Sequence, residues 1–217
     1  MNKFKLLVMC AVFGLIVGCA KGSNGLPYDG WRLGLFAPNY MEVWIETADA
    51  VDVRDRVFKR AMSGVAAIQT PKNLKGNPRG WPSYPGWGKG KYVYGAAVPR
   101  LIYVRWQSLV EPQTYEAYIV IPEAIQQAMV KPEKAFCEFD DKWITDYRKG
   151  VTVGLAPGGI AKVWISGPCV RPIEVSRVQG EVVKEGPYGG KSEGHHFPLG
   201  ETSKACIEKY GVPYGSW

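Results

Sequence analysis

The stretch 99-PRLIYVRWQSLVEPQTYEAYIVI-121 decides the fold, because it holds two alternating apolar segments on either side of a turn. Along Pro99–Gln107 and along Gln113–Ile121, successive side chains divide between two faces, which is typical of β-strands. The intervening Ser108–Pro112 has the composition of a turn. The stretch therefore predicts an antiparallel hairpin in the middle of the chain.

The residues that follow this hairpin predict a short helix. Pro122 occupies a favourable first-turn position, Glu123 places negative charge near the helix N-terminus, and Pro132 ends the segment. We therefore expect a helix over Pro122–Val130. The aromatic and charged stretch Phe136–Arg148 is interpreted as a second short helix.

Several other segments have the composition of strands. Val51–Ile68 is ambiguous between strand and helix, and Gly64 favours a strand or irregular structure. The turn Pro157–Gly158–Gly159 predicts a second hairpin. The remaining predicted strands are Trp31–Ala37, Met41–Thr47, Gly150–Ala156, Ile160–Ser166 and Ile173–Val183. The sum is a mainly β (α+β) single domain of antiparallel, sandwich-like sheets with one or two short helices.

The N-terminus indicates where the protein resides. A basic start precedes the uncharged Leu6–Val17, which has the length of a signal-peptide core and is too short to span a bilayer. The ending Leu15–Cys19 resembles the lipobox of bacterial lipoproteins, which implies removal of residues 1–18 and acylation of Cys19. Ala20 follows the cysteine in place of an aspartate, which favours the periplasmic face of the outer membrane as the location.

This organisation divides the mature chain into three parts. Residues 19–30 are predicted to be a lipidated tether to the bilayer, and residues 31–183 are predicted to form the β domain. Residues 184–217 are a Gly/Pro-rich C-terminal extension, which we expect to be poorly packed.

Charge and chemistry exclude several classes of function. The formal net charge falls from +7 to +5 when Lys3 and Lys5 leave with the signal peptide, and no Lys/Arg run suits a nucleic acid. His195 and His196 are adjacent in a Gly-rich stretch, an arrangement that does not predict a metal site. No catalytic motif is evident, so we expect no enzyme activity, no cofactor and no metal.

Three cysteines remain after Cys19 is acylated. An oxidising compartment allows one disulfide among them, with three possible pairings. We favour Cys137–Cys169, which would leave Cys206 free. The alternative is that Cys137 and Cys169 are two buried thiols.

The segment Pro71–Gly95 is rich in Pro, Gly and aromatic residues and lacks apolar periodicity. Long loops of this kind inside a domain are usually functional or disordered, and the aromatic content argues against disorder. Residues 76–92, here named the aromatic loop, combine rings and cations as recognition surfaces do. The alternative is that these rings cap an open side of a sheet. The candidate partner-binding residues are Arg79, Trp81, Tyr84, Trp87, Lys89 and Tyr92.

Several segments resemble a family of uncharacterised proteobacterial lipoproteins that share a domain of unknown function. The resemblance covers about residues 28–180, and its motifs specify fold better than function. It rests on Leu101–Ser108, Glu111, Tyr115, Ile121–Pro122, Val151–Gly159 and Val163–Ile165.

The resemblance implies a function as well. The resemblance extends to some members that are encoded beside type VI secretion lipase effectors of the phospholipase D class and act as periplasmic immunity proteins. We therefore expect a membrane-anchored protein that binds and neutralises a secreted lipase toxin, with residues 76–92 as the plug. The alternative is a structural or assembly lipoprotein of the outer membrane with no toxin partner.

Overall fold

The computed structural model describes residues 24–217, and its main feature is a pair of five-stranded β-sheets packed face to face. The predicted signal peptide and Cys19 lie outside the described residues. The strands are β1 (Gly30–Phe36), β2 (Val43–Asp52), β3 (Val57–Ala67), β4 (Lys89–Tyr94), β5 (Pro99–Ser108), β6 (Gln113–Val120), β7 (Glu133–Cys137), β8 (Lys142–Asp146), β9 (Gly150–Ala156), β10 (Ile160–Ser166), β11 (Ile173–Gln179) and β12 (Glu181–Val182). The helices are α1 (Glu123–Val130) and α2 (Glu201–Tyr210), with 3₁₀ turns at Lys72–Leu74, Pro157–Gly159 and Pro187–Gly190.

The two sheets have different strand orders. Sheet A runs β11-β10-β9-β1-β4, and sheet B runs β12-β6-β5-β2-β3. Neighbouring strands pair antiparallel except β1 and β9, which pair in parallel. Strands β7 and β8 form a separate two-stranded hairpin.

One hydrophobic core fills the space between the sheets. Sheet A contributes Leu33 and Val153, and sheet B contributes Ile45, Val104 and Ile119, all fully buried. Each lies on one face of its strand, as the period of two requires. The mainly β, sandwich-like fold predicted from the sequence is confirmed.

The best predicted elements are the two hairpins. Strands β5 and β6 pair from Leu101↔Val120 to Ser108↔Gln113, which confirms the central hairpin. Strands β9 and β10 form the second predicted hairpin, with Gly158 and Gly159 at positive φ in the turn. The ambiguous Val51–Ile68 is strand over most of its length, in β2 and β3.

Two segments differ from the sequence-based expectation. Phe136–Arg148 does not form a helix, because it contains β8 and the end of β7, joined by a turn in which Asp141 has φ 49°. Ile173–Val183 is not one strand, because Gly180 separates β11 in sheet A from β12 in sheet B. A side chain at Gly180 would meet the Trp106 ring at 2.7 Å, so the crossing needs glycine.

The predicted domain boundaries also shift. Asn24 and Leu26 are buried, so the last part of the predicted tether belongs to the body of the protein. The C-terminal segment (184–217) is not a poorly packed tail, since it contains α2 and the buried residues Ser203, Cys206 and Trp217. None of the helices in the described part of the chain is long and apolar enough to cross a bilayer.

Candidate binding surface

The aromatic loop is fixed to the outer face of sheet A by two tryptophans. The Trp81 ring covers Gly154 and the Trp87 ring covers Gly150, two positions on the same face of β9. A Cβ at these glycines would come within 2.4 Å and 2.3 Å of the respective rings. Since such contacts are forbidden, the loop can lie flat on the sheet only because these positions lack side chains.

Trp81 lies in an aromatic cluster. Its ring centroid is 5.7 Å from Phe36 and 5.4 Å from Trp164, both in edge-to-face geometry. The Trp81 indole N–H and the Thr152 hydroxyl are buried there without a hydrogen-bond partner. Ring packing therefore outweighs polar pairing at this contact.

Trp87 is held by a cation. The Arg32 guanidinium lies 5.7 Å from the ring centroid and donates to the carbonyl oxygens of Trp87 and, at 3.0 Å, Gly88. Burial lowers the pKa of Arg32, but an arginine stays protonated in proteins. The loop backbone is thus fixed where it enters β4.

The rest of the predicted site is exposed. Tyr84 projects from the middle of the loop, and Lys89 and Tyr92 belong to β4, an edge strand of sheet A. Arg79 is exposed and lines a cavity of about 310 Å³ between the loop and α2. The predicted residues therefore divide into two half-buried anchors, Trp81 and Trp87, and a set of exposed groups.

Sequence reasoning missed part of this surface. Tyr94 is exposed and stacks on Tyr92 at 5.6 Å between ring centroids. Both line a cleft of about 410 Å³ together with Tyr28 and Lys149. The alternation within Lys89–Tyr94 could have predicted that Tyr92 and Tyr94 share a face.

Tyr28 closes one side of this cleft. Burial, with a smaller contribution from Tyr147, raises the pKa of Tyr28. The phenol is therefore neutral and donates to the Met129 carbonyl oxygen at 3.1 Å. This bond connects the start of the described chain to α1.

The outer face of sheet B is covered differently. Three buried polar side chains, Glu42, Glu46 and Gln107, project from it towards the C-terminal segment. Gln107 donates to Glu46 at 3.0 Å, and its amide oxygen accepts from the Phe197 backbone N–H at 2.9 Å. Glu46 also accepts from the Tyr188 N–H at 2.9 Å.

Glu42 holds the start of α2. Its carboxylate accepts from the Gly200 backbone N–H at 3.3 Å and from the Ser203 hydroxyl. Trp44 lies on the same face, and its ring stacks on Phe197 at 3.7 Å. Hydrogen bonds and one pair of stacked rings therefore attach the C-terminal segment to sheet B. The aromatic loop, in contrast, is attached to sheet A by tryptophan rings packed on glycines.

The cysteines complete the local chemistry. Cys137 and Cys169, the favoured pair, are joined by a disulfide with their Cα atoms 4.8 Å apart. Cys206 is a free, buried thiol whose pKa is raised by burial, which makes it a weak nucleophile. Among residues 24–217, no group of three or more His, Cys, Asp or Glu side chains is placed to hold a metal ion.

Comparisons with known proteins give a family but no relative of known function. No curated protein and no solved structure matches the chain. One family model, described as a protein of unknown function (DUF2931), matches residues 19–215 and so includes nearly all of the C-terminal segment. The chain therefore belongs to the DUF2931 family.

Proposed function

We propose that this protein is a membrane-anchored periplasmic binding protein that neutralises a secreted lipase toxin. The observation that carries the proposal is the aromatic loop, which combines an anchored base with exposed tyrosines and lysines. Trp81 and Trp87 fix the backbone on sheet A, while Tyr84, Lys89 and Tyr92 remain in solvent. The class of partner rests on the family resemblance described from the sequence.

A preordered loop suits inhibition. Tyrosine contributes a large, rigid contact area and is enriched among residues that dominate binding energy. Because the loop is already attached to the sheet, little conformational entropy is lost when a partner closes over it. The exposed lysines of β4 favour a partner with an acidic surface.

Acylation of Cys19 would place this surface where the toxin acts. Tethering to the membrane raises the effective concentration of an inhibitor against an enzyme that attacks the same bilayer. The chain outside the aromatic loop would then serve to mount and orient the loop.

The test is binding to the product of the adjacent gene, and protection of cells from that product. Changing both Tyr84 and Tyr92 to Ala should weaken the complex by about thirtyfold to a thousandfold, since each such side chain contributes roughly 1–2 kcal/mol. Tyr118→Ala is the matched control, because Tyr118 is at least as exposed as Tyr84 and Tyr92 but lies on sheet B. Undiminished binding and protection by the double variant would refute the loop assignment.

The alternative, an assembly or structural lipoprotein, predicts a different result. Deletion of the gene would then weaken the envelope in cells that carry no toxin gene. No complex with a lipase would form at any concentration tested.

A further inference from the structure

The hairpin β7–β8 carries the most exposed aromatic cluster in the described chain outside the site proposed above. Phe139, in the turn, is 91% exposed, Trp143 is 67% exposed and Phe136 is 43% exposed. The Phe136 and Trp143 rings meet edge to face at 5.8 Å between centroids. Exposed apolar clusters of this kind mark contacts with proteins or membranes.

The hairpin is held firmly to the body of the protein. The disulfide joins Cys137, near the turn, to Cys169 in the loop after β10. At the base, Arg148 makes a two-pronged ion pair with Glu133, with N–O distances of 2.7 Å and 3.1 Å. The rings are therefore presented on a fixed support, which lowers the entropy lost on binding.

The position of the hairpin indicates which surface it meets. Strand β9 follows the hairpin and runs parallel to β1, so the hairpin joins the sandwich at the end where β1 begins. The described chain also starts at that end, and the Tyr28 ring lies 5.5 Å from that of Tyr147, just after β8. Only four residues lie between Cys19 and Asn24, so the five steps from one Cα to the other reach about 17 Å when fully extended.

We propose that the β7–β8 hairpin docks on the lipid bilayer, with Phe136, Phe139 and Trp143 at the level of the headgroups. The inference rests on the proposed acylation of Cys19, which brings this end of the sandwich to the membrane. Phe and Trp side chains suit that interface. Tryptophan is enriched at the level of the headgroups, and peripheral helices bury Trp and Phe side chains at the same depth. Attachment through Cys19 alone would let the protein rotate relative to the membrane. The hairpin would be a second contact with the bilayer and would fix the orientation of the protein.

The charges of the hairpin set the depth of insertion. Glu138, Asp140 and Asp141 flank Phe139, and Asp140 pairs with Lys142 at 3.6 Å. Charged groups stay in water, so the rings reach the headgroups and stop short of the hydrocarbon core. Binding should accordingly weaken as the fraction of anionic lipid rises.

The test measures the environment of Trp143 in the acylated full-length protein. The protein is reconstituted into phosphatidylethanolamine–phosphatidylglycerol vesicles with and without brominated acyl chains. The emission of Trp143 is obtained by subtracting the spectrum of Trp143→Phe. We expect this emission to be blue-shifted and to be quenched by the brominated lipid.

Two variants complete the design. Phe139→Ser, at a fully accessible position, should reduce the quenching of Trp143 without affecting folding. Tyr210→Ser is the control, because Tyr210 is exposed on α2, whose Cys206 packs with Tyr40 and Trp217 away from the hairpin. It should leave the quenching unchanged.

The outcomes separate this inference from the proposed function. The mass of the purified chain reports acylation by itself, and a missing lipid would contradict the anchor. Acylated protein whose Trp143 emission stays water-like would overturn membrane docking of the hairpin. A blue shift that occurs only when the lipase is added would also overturn it, because the hairpin would then bind protein.

Discussion

The outer faces of the two sheets are both covered, but by opposite means. On sheet A, Trp81 and Trp87 lie on bare glycine backbone, and two buried polar atoms there have no partner. On sheet B, Glu42, Glu46 and Gln107 bind the backbone of the C-terminal segment. The first cover depends on shape and the second on hydrogen bonds, so the two should respond to different substitutions.

The shape-dependent cover should be the more sensitive to added volume. A Cβ at Gly34 would lie 1.9 Å from the Trp87 carbonyl oxygen, and backbone cannot move aside as a side chain can. We expect Gly34→Ala to cost about 3 kcal/mol of unfolding free energy, at the upper end for overpacking. Urea denaturation measures this.

Gly86→Ala is the matched control for that substitution. Gly86 precedes Trp87 in the aromatic loop, and a Cβ there would meet no atom within 4 Å. It should change stability by less than about 0.5 kcal/mol. Equal effects of the two substitutions would show that close packing does not hold the loop.

The hydrogen-bonded cover should be sensitive to loss of an acceptor. Glu42→Ala leaves the Gly200 N–H and the Ser203 hydroxyl without a partner, at a cost of about 2 kcal/mol. Proteolysis within the C-terminal segment should also become faster, since its attachment weakens. Glu42→Gln keeps an acceptor oxygen and should lose less. Glu208→Ala, at an exposed position on α2, should have no effect.

These two covers also show what could be predicted from sequence. Alternation along β5 and β6 predicted the central hairpin, because a half-buried strand imposes a period of two on its own residues. The Pro157–Gly159 turn predicted the hairpin of β9 and β10. The rings of the aromatic loop could be identified by composition. Their division into anchors and exposed groups could not, since it depends on which glycine of a distant strand lies beneath each ring.

The C-terminal segment shows the limit more clearly. Its composition is typical of a loose tail, yet it packs because Glu42, Glu46 and Gln107 bind it from 90 to 158 residues away in sequence. Buried polar residues are indistinguishable from surface ones in a sequence until their partners are known. The prediction of a helix over Phe136–Arg148 was wrong for a similar reason. A disulfide to Cys169, in a loop distant in sequence, helps to fix that hairpin.

A smaller effect should come from Arg32, the cation that contacts Trp87 in the sheet A cover. Arg32→Lys keeps the charge but loses the planar fork that binds the carbonyl oxygens of Trp87 and Gly88. We expect a loss of about 1 kcal/mol, part of the value of two charged hydrogen bonds. Near-ultraviolet circular dichroism should report loosening of Trp87. Arg79→Lys is the control, because Arg79 is an exposed arginine in the aromatic loop. It should change neither the stability nor the spectrum.

The smallest effect concerns sheet B where water reaches its outer face. Hydrogen bonds from Tyr103 at 2.7 Å and from Arg105 at 2.8 Å lower the pKa of Glu116. A carboxylate with a lowered pKa stabilises the fold above its unfolded-state pKa, and the contribution disappears as the pH falls through the folded-state value. Because the group is partly exposed, we expect Glu116→Gln to cost only about 0.5 kcal/mol at neutral pH.

That cost should therefore vanish in acid. Urea denaturation of the wild type and of Glu116→Gln, repeated from neutral pH to below the lowered pKa of Glu116, should give two curves of unfolding free energy that converge. A gap that persists in acid would mean that the Glu116 side chain acts through packing and not through its charge. Packing would then dominate at this solvent-exposed part of sheet B, as it does on sheet A. The contrast between the two covers would be limited to the buried residues Glu42, Glu46 and Gln107.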